Sequence, residues 1–131
     1  MTKPAALVSK PVQRLVQLGV CSYSDIRDAI VQAQRLSSPE SLRRIRDAER
    51  LFGMLGDSNR IKILILLSKR EMCVCEIESA LKLPQPTVSH HLALLEQAGL
   101  LQRSKRARWA FYRVSNSPIL DLVRDMVTPR E

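Results

Sequence analysis

The chain has 131 residues, of which 45% are hydrophobic and 26% are charged, the usual make-up of a soluble globular domain. Its longest apolar run, Ile63 to Leu67, is far shorter than the ~20 residues that a membrane-spanning helix requires. No stretch has the pattern of a secretory signal. We therefore expect a cytoplasmic protein without a membrane partner. The formal net charge of +8 makes nucleic acid the leading class of partner.

Helical patterns fill the first half of the chain. Residues 1–11, which include two prolines, predict a loosely ordered arm. Three helices are predicted after it, over 12–18, 25–36 and 39–55. Gly19 is expected to end the first helix, Ser24 to cap the second, and Ser38 to cap the third.

Shorter elements follow in the second half. Gly56 and Asp57 predict a helix stop and a new N-cap, and Pro84 predicts a tight turn. After Gly99 the hydrophobic period changes from that of a helix to that of strands. The predicted elements are helices over 58–68, 74–81, 86–98 and 118–127, and a two-stranded hairpin over 100–115.

Two short helices joined by a tight turn and followed by a basic hairpin form the layout of a winged helix-turn-helix protein. Because the apolar stripe of the second short helix must face the core, three polar residues near its start point outward as candidates for base readout: Gln85, Ser89 and His90. We expect Thr87 to contact phosphate. The predicted fold class is α+β, mainly α, with an N-terminal helical extension and a two-stranded wing.

Basic charge is concentrated in the hairpin. From Arg103 to Arg113 the chain carries five basic residues and no acidic one, whereas from Asp57 to Leu101 five basic residues balance five acidic ones. Cations along a hairpin can lie against DNA phosphates and so contribute affinity without reading sequence. The charge distribution therefore favours DNA over an acidic membrane as the partner.

Four segments carry a family resemblance: LGDSNRIKILILL, MCVCEI, LPQPTVSHHLALLEQAGLL and RWAFYRV occur in the order found in ArsR–SmtB repressors. The chain is identified as a member of this family over about residues 45–127. The resemblance implies a homodimeric, metal-sensing repressor that binds double-stranded operator DNA with an inverted repeat. The DNA-contacting residues that it implies are Gln85, Thr87, Ser89 and His90 on the recognition helix, and Arg103, Lys105, Arg106 and Arg108 on the wing.

The wing tip departs from the family pattern, which usually has a glycine there. Here the tip reads Lys105-Arg106-Ala107-Arg108. A two-residue hairpin turn needs a positive φ, which glycine adopts at the lowest cost. We therefore expect a longer and mobile wing.

The two adjacent histidines, His90 and His91, suggest a metal site at first sight. Neighbouring residues on a helix point in directions that differ by about 100°, so they are poorly placed to bind one ion. His90 is better interpreted as facing DNA. His91 lies beside the apolar stripe and is interpreted as a partly buried residue with a satisfied hydrogen bond.

Cys73 and Cys75 lie where the helix predicted over 74–81 begins. In an extended segment, residues two apart point the same way, so both sulfurs could bind one ion. The start of a helix also favours the thiolate, the form that binds metal. Two alternatives stay open: both cysteines are small buried hydrophobic residues, or they form a redox pair whose disulfide would close a small, strained ring.

Cys21 is the remaining cysteine of the three, and the odd number argues against a disulfide framework. In the family that the chain resembles, a cysteine of the N-terminal arm often completes the site of the other subunit. For Cys21 two arrangements stay open, binding across the dimer or within its own subunit. Three thiolates suit As(III), Sb(III) or Pb(II); Cd(II) or zinc would need water, Glu71 or Glu76 as a fourth ligand. A second family site, on the last helix, lacks its histidines: the segment reads Asn116-Ser117-Pro118.

The sequence thus predicts a homodimeric repressor that releases DNA when a thiophilic ion binds Cys21, Cys73 and Cys75, with no permanent cofactor. The alternative is a repressor that responds to thiol oxidation or reactive sulfur. A thiol enzyme is disfavoured because no general base or cofactor-binding loop accompanies the cysteines. The expected domains are an arm with an extra helix over residues 1–37 and a DNA-binding and dimerisation domain over residues 38–131.

Overall fold

The computed structural model describes residues 8–128, so residues 1–7 of the predicted arm lie outside the described part. The chain divides into two compact units, the first ending at Asp47 and the second beginning at Ala48. In chain order the elements are α1 (Lys10–Gln17), α2 (Tyr23–Leu36), α3 (Pro39–Leu55), α4 (Ser58–Lys69), β1 (Met72–Cys73), α5 (Val74–Leu81), α6 (Gln85–Gln97), β2 (Leu101–Arg106), β3 (Trp109–Val114) and α7 (Pro118–Val127).

The division between the two units falls inside α3. The boundary at residues 37 and 38 that the sequence suggests stays a prediction. Neither α1 nor α2 contains a buried residue within the described part of the chain. Their ends are set by local signals: Gly19, with a φ of +73°, follows α1.

Serine hydroxyls begin two of these helices. Ser22 caps α2, because its Oγ accepts a hydrogen bond from the Asp25 backbone N–H (3.1 Å) and the Asp25 carboxylate accepts one from the Ser22 N–H (3.2 Å). The expectation that Ser24 is the cap is wrong: Ser24 lies inside the first turn, with its hydroxyl 2.8 Å from that of Ser22. Ser38 caps α3 as predicted, by accepting from the Ser41 N–H (3.2 Å).

The second unit has a continuous hydrophobic core. Asp57 fixes the start of α4 by accepting hydrogen bonds from the Asn59 and Arg60 backbone N–H groups (2.9 and 3.1 Å). These bonds lower the pKa of the Asp57 carboxyl, and the bond from the Arg60 backbone N–H has the largest effect. The fully buried side chains at the centre of the core come from α4, α5 and α6: Ile63, Leu64, Ile77, Val88, Leu92 and Leu95.

A three-stranded antiparallel sheet has the order β1-β3-β2. Leu101 pairs with Val114 at the open end of the β2–β3 hairpin, and Arg106 pairs with Trp109 at its tip. β1 adds two pairs, one of which places Cys73 opposite Phe111. The sequence did not predict β1, because two residues are too short to show a hydrophobic period.

The fold is therefore a mainly helical winged helix-turn-helix with a small antiparallel sheet, as predicted. α5 and α6 form the helix-turn-helix, and β2 and β3 form the wing. Among the described residues, no helix combines the length and apolar character needed to cross a membrane.

Candidate DNA interface and thiol site

α6 has one buried and one accessible face. Val88, Leu92 and Leu95 are fully buried, which turns Gln85 and His90 to solvent. Ser89 and Thr87 are half-buried. The Gln85 amide donates a hydrogen bond to the Ser89 hydroxyl (2.9 Å), which fixes the two side chains relative to each other. The predicted exposure of Gln85 and His90 is confirmed, Ser89 is less exposed than predicted, and the contacts of all four residues with DNA stay predictions.

His91 is buried, unlike its exposed neighbour His90. Its Nδ1 accepts a hydrogen bond from Nε of Arg60 on α4 (3.1 Å). Arg60 also donates to the backbone oxygen of Met54 near the end of α3 (3.1 Å). This arrangement confirms the interpretation of His91 as a hydrogen-bonded buried residue. It also connects α6 to the junction between α3 and α4.

The wing turn consists of two residues, Ala107 and Arg108, between the paired residues Arg106 and Trp109. Ala107 has a φ of +54°, a conformation unfavourable for a residue with a Cβ. The expectation of a longer turn is therefore wrong. Pairing along the whole of β2 and β3 stabilises the tight turn even though an alanine takes the place of glycine.

The four predicted wing cations have different surroundings. Arg106 forms an ion pair with Glu71 (2.5 Å), and Arg103 lies 3.7 Å from Glu96. Arg108 lies over the Trp109 ring, 5.0 Å from its centroid. Lys105 is exposed and makes no ion pair with any described residue. All four are exposed enough to meet a phosphate, but Arg103 and Arg106 would have to leave a carboxylate.

Cys73 and Cys75 bring their sulfur atoms to within 2.7 Å of each other. The boundary between β1 and α5 falls between them: Cys73 ends the strand and is the N-cap of the helix, while Cys75 lies in its first turn. Glu76 fixes this start, because its carboxylate accepts from the Cys73 backbone N–H (3.2 Å) and pairs with Arg70. The predicted convergence of the two thiols is confirmed, with both thiols free.

The pKa of the Cys75 thiol is raised, in contrast to the expectation that the helix start favours its thiolate. Its hydrogen bond with Cys73 is the largest cause, and desolvation and the charge of Cys73 act in the same direction. The backbone N–H groups at the start of α5 lower the pKa, but by less. When one of two sulfurs in contact is a thiolate, the other thiol loses its proton less readily. A metal cation that binds both sulfurs offsets this repulsion and favours the loss of both protons.

Cys21 lies in the first unit, in the segment between α1 and α2, and is half-buried. Within one chain, residues 8–128 contain no group of three or more His, Cys, Asp or Glu side chains that could hold a metal ion. The carboxylates considered as further ligands are both engaged by arginines, Glu71 by Arg106 and Glu76 by Arg70. A site with Cys21 therefore stays a prediction.

Sequence reasoning missed the partner of Arg106. The sequence indicates Glu71 only as a candidate metal ligand, although Glu71 lies two residues before Cys73 and so on the same side of an extended segment. It also missed Arg60 as the partner of His91. Both contacts join residues far apart in the chain, so no local pattern could have indicated them.

An apolar groove of about 280 Å³ lies between the end of α3 and α7. Several side chains along it are exposed, including Phe52 (62%) and Met126 (77%). Hydrophobic side chains provide nearly all of its lining, among them Leu55, Ile61, Ile119 and Leu122. An apolar groove with exposed hydrophobic side chains is a candidate interaction surface.

Comparison with known protein families gives a match over the helix-turn-helix. The model described as "bacterial regulatory protein, arsR family" matches residues 57–103. An uncharacterized HTH-type transcriptional regulator of Methanocaldococcus jannaschii is 40% identical over 78 residues, which are 59% of this chain and 88% of that protein. The arsenical resistance operon repressor of Escherichia coli is 47% identical over 66 residues, 50% of this chain but only 56% of the repressor.

Solved structures show the same architecture. Reduced HlyU from Vibrio cholerae superimposes with a TM-score of 0.62 at 28% identity, over 70% of this chain and 100% of that one. A homodimeric winged helix-turn-helix DNA-binding domain from Mycobacterium bovis gives a TM-score of 0.62 at 23% identity, over 69% of this chain and 83% of that one. The second likeness concerns the fold alone.

Proposed function

Because the chain belongs to the ArsR family of bacterial regulatory proteins, a family of non-enzymatic transcriptional regulators, we propose that it is a repressor that releases operator DNA when a thiophilic ion binds Cys73 and Cys75. The observation that carries this proposal is the 2.7 Å separation of the two sulfurs at the junction of β1 and α5. β1 pairs with the wing strand β3, and α5 packs against the recognition helix α6 in the same core.

Residues of α6 and residues of the wing would make different kinds of contact with DNA. Gln85, Ser89 and His90, near the start of α6, would meet base edges in the major groove. Thr87 would contact phosphate, and the wing cations would lie along the backbone. Lys105 and Arg108 are the wing cations that meet no carboxylate in the described structure.

Such a protein would bind an inverted repeat as a dimer, because the two subunits then place their recognition helices in two successive major grooves. The exposed apolar groove along α3 and α7 supports this assembly, since a second copy would cover Phe52 and Met126. Operator DNA and a second copy of the chain are thus the proposed partners, in the cytoplasm.

Two neighbouring thiols suit soft ions, which bind sulfur in preference to oxygen. Cys73 and Cys75 would each lose a proton and hold the ion, and Cys21 of the second subunit would supply a third sulfur. The ions that fit three thiolates are As(III), Sb(III) and Pb(II), with Cd(II) as a further candidate. The E. coli relative, named for arsenical resistance, supports the first of these.

The ion must favour a dimer geometry that fits DNA less well. By linkage, DNA then weakens ion binding by the same factor. Titration of a labelled operator by fluorescence anisotropy under anaerobic, reducing conditions tests this reciprocity. Arsenite or lead should release the wild-type protein from DNA, and DNA should weaken direct binding of the ion to the same extent.

The matched variants are Cys73→Ser, Cys75→Ser and Cys21→Ser. The first two should bind DNA like the wild type and lose the response to the ion; a response that persists in both would disprove the site. Cys21→Ser separates a two-sulfur from a three-sulfur site, because X-ray absorption of the loaded protein counts the sulfur ligands. Replacing Ser89 or His90 by Ala should instead cost about 1–3 kcal/mol of sequence discrimination per lost base contact and leave ion binding intact.

A second candidate is a repressor switched by thiol oxidation. It is favoured by the free, mutually close thiols and by the likeness to a regulator solved in its reduced form. The switch would be a disulfide between Cys21 and Cys73 or Cys75. An oxidant that releases DNA where arsenite and lead do not, with release reversed by a dithiol, would favour this candidate over the ion sensor.

A further inference from the structure

The Glu71–Arg106 ion pair crosses the sheet. Glu71 directly precedes β1, and Arg106 is the last residue of β2, so β3 lies between their strands. The Arg106 guanidinium lies over the ring of Phe111 on β3, 4.7 Å from its centroid. From there its Nη2 atom reaches Oε1 of Glu71 at 2.5 Å. The arginine thus points back across the wing toward β1.

Glu71 depends on this arginine. Its Oε1 atom is buried and accepts no hydrogen bond of regular geometry from any described residue. Its side chain is 26% exposed, against 63% for Arg106. A carboxylate oxygen that has lost water needs a compensating charge, and the close guanidinium supplies it. An arginine that leaves for a DNA phosphate therefore leaves this oxygen without its ionic partner.

Cys73, one of the two thiols, is the last residue of β1, the strand that follows Glu71. Cys73 lies opposite Phe111, so the two residues share a face of the sheet. Glu71 lies two positions before Cys73, and side chains two apart on an extended segment point to the same face. β1 has only two residues and two pairing partners, so it is the least secured strand of the sheet.

We propose that Glu71 is a positioning residue that couples the thiol site to the wing by competing with DNA for Arg106. The coupling rests on the proposed function. In the free protein Glu71 holds Arg106 over Phe111. For Arg106 to contact a DNA phosphate, its ion pair with Glu71 must break. A ligand that joins Cys73 to Cys75 fixes the end of β1 against α5. It thereby keeps Glu71 in place and holds Arg106 away from phosphate.

The first arm of the test needs no ligand. We compare operator affinities of the full chain and its Glu71→Gln variant at ~0.1 M salt, where exposed charges still interact. Loss of the competing carboxylate should tighten binding about two- to fivefold, the range for an accessible ion pair. Glu78→Gln is the matched control: it removes the same charge from α5, where the described structure records no ion pair for Glu78.

An Arg106→Gln background isolates the contact. There, Glu71→Gln should change DNA affinity no more than Glu78→Gln does, because the residue for which Glu71 competes is gone. An equal gain with and without Arg106 would overturn the proposal, since the effect would then be general repulsion between carboxylate and DNA.

The second arm uses lead(II), with its binding followed by sulfur-to-lead absorbance. Glu71→Gln should bind lead like the wild type, but the loss of DNA affinity caused by lead should shrink by about threefold or more, within the range by which single residues modulate coupling. An unchanged loss of DNA affinity overturns the coupling. Absence of the absorbance in the wild type would instead refute the proposed ion site, while the affinity comparison still decides whether Glu71 competes for Arg106.

Discussion

The Nε atom of Arg60 on α4 donates a hydrogen bond to Nδ1 of the buried His91 on α6, 3.1 Å away. Since Arg60 also donates to the backbone oxygen of Met54, one side chain connects three helices, α3, α4 and α6. The contact requires that Nδ1 of His91 carry no proton. A histidine in the recognition helix therefore has a structural role, although its neighbour faces solvent.

His91→Ala should lower the free energy of unfolding by about 1–3 kcal/mol, because it leaves the Arg60 Nε–H group without its acceptor in a partly buried place. Urea denaturation followed by circular dichroism measures this change. His90→Ala is the matched control, because His90 is exposed and its loss should alter stability by less than about 0.5 kcal/mol. Equal effects of the two substitutions would mean that the Arg60–His91 contact contributes nothing.

Ala107→Gly should stabilise the wing by up to about 1 kcal/mol. Glycine adopts the φ of +54° found at this position without the steric cost that alanine bears, and this gain exceeds the added entropy of the unfolded chain. Hydrogen exchange of the β2 and β3 amides would report the local gain. Ala110→Gly in β3 should have the opposite sign and cost about 0.5–1 kcal/mol. If both substitutions destabilise, the positive φ at Ala107 carries no strain.

Asp57→Ala should destabilise the second unit in a pH-dependent way. The pKa of Asp57 is lowered in the folded protein, chiefly by the Arg60 backbone N–H, so the ionised carboxylate is the form that favours folding. Its contribution is complete above the unfolded-state pKa and is lost as the pH falls through the lower, folded-state value. Urea unfolding of wild type and variant at several pH values between about 7 and 3 should show the difference in stability shrink in acid.

The control for this cap is Asp125→Ala, since Asp125 makes no hydrogen bond or ion pair recorded among residues 8–128. Its effect on stability should be small throughout the same pH range. A difference for Asp57→Ala that stays constant down to the lowest pH would show that the charge of the carboxylate is not what matters.

Met126→Glu should impair self-association. Met126 is 77% exposed and lines the apolar groove that we propose a second copy covers, so a carboxylate there would lose its water in the dimer. Sedimentation should show a shift toward monomer at micromolar protein, and DNA affinity should fall with it. Thr128→Glu adds the same charge just beyond α7, outside the groove lining, and should dimerise normally. Normal association of Met126→Glu would place the interface elsewhere.

Much of this fold could be predicted because its determinants are local. The start of α4 at Asp57 and the span of α5 from Val74 to Leu81 follow from capping residues and hydrophobic period. Where two local signals competed, the prediction failed: Ser22 and Ser24 are both possible caps, and only Ser22 has an acidic partner three residues later. The capping-box spacing is itself a local signal, and it favours Ser22 over Ser24.

The thiol site could be predicted only in part. Convergence of Cys73 and Cys75 depends on where α5 begins, which sequence patterns indicate. The raised pKa of Cys75 depends on the contact between the sulfurs, which outweighs the helix start. Tertiary contacts set the remaining features: pairing of the two strands secures the tight turn at Ala107, and the strand order brings Arg106 to Glu71.

The unequal exposure of the two thiols has a kinetic consequence. Cys73 is buried and Cys75 is exposed, although their sulfurs are in contact. A ligand that binds both would form its first bond with the exposed Cys75 sulfur and its second with the Cys73 sulfur, keeping the first. Departure follows the reverse order, so a small thiol in solution can remove the ligand only by attack on the side of Cys75. For the ligand that we propose, residence time would therefore depend on how well the Cys75 sulfur is shielded, and substitutions around Cys75 would change exchange rates more than affinity.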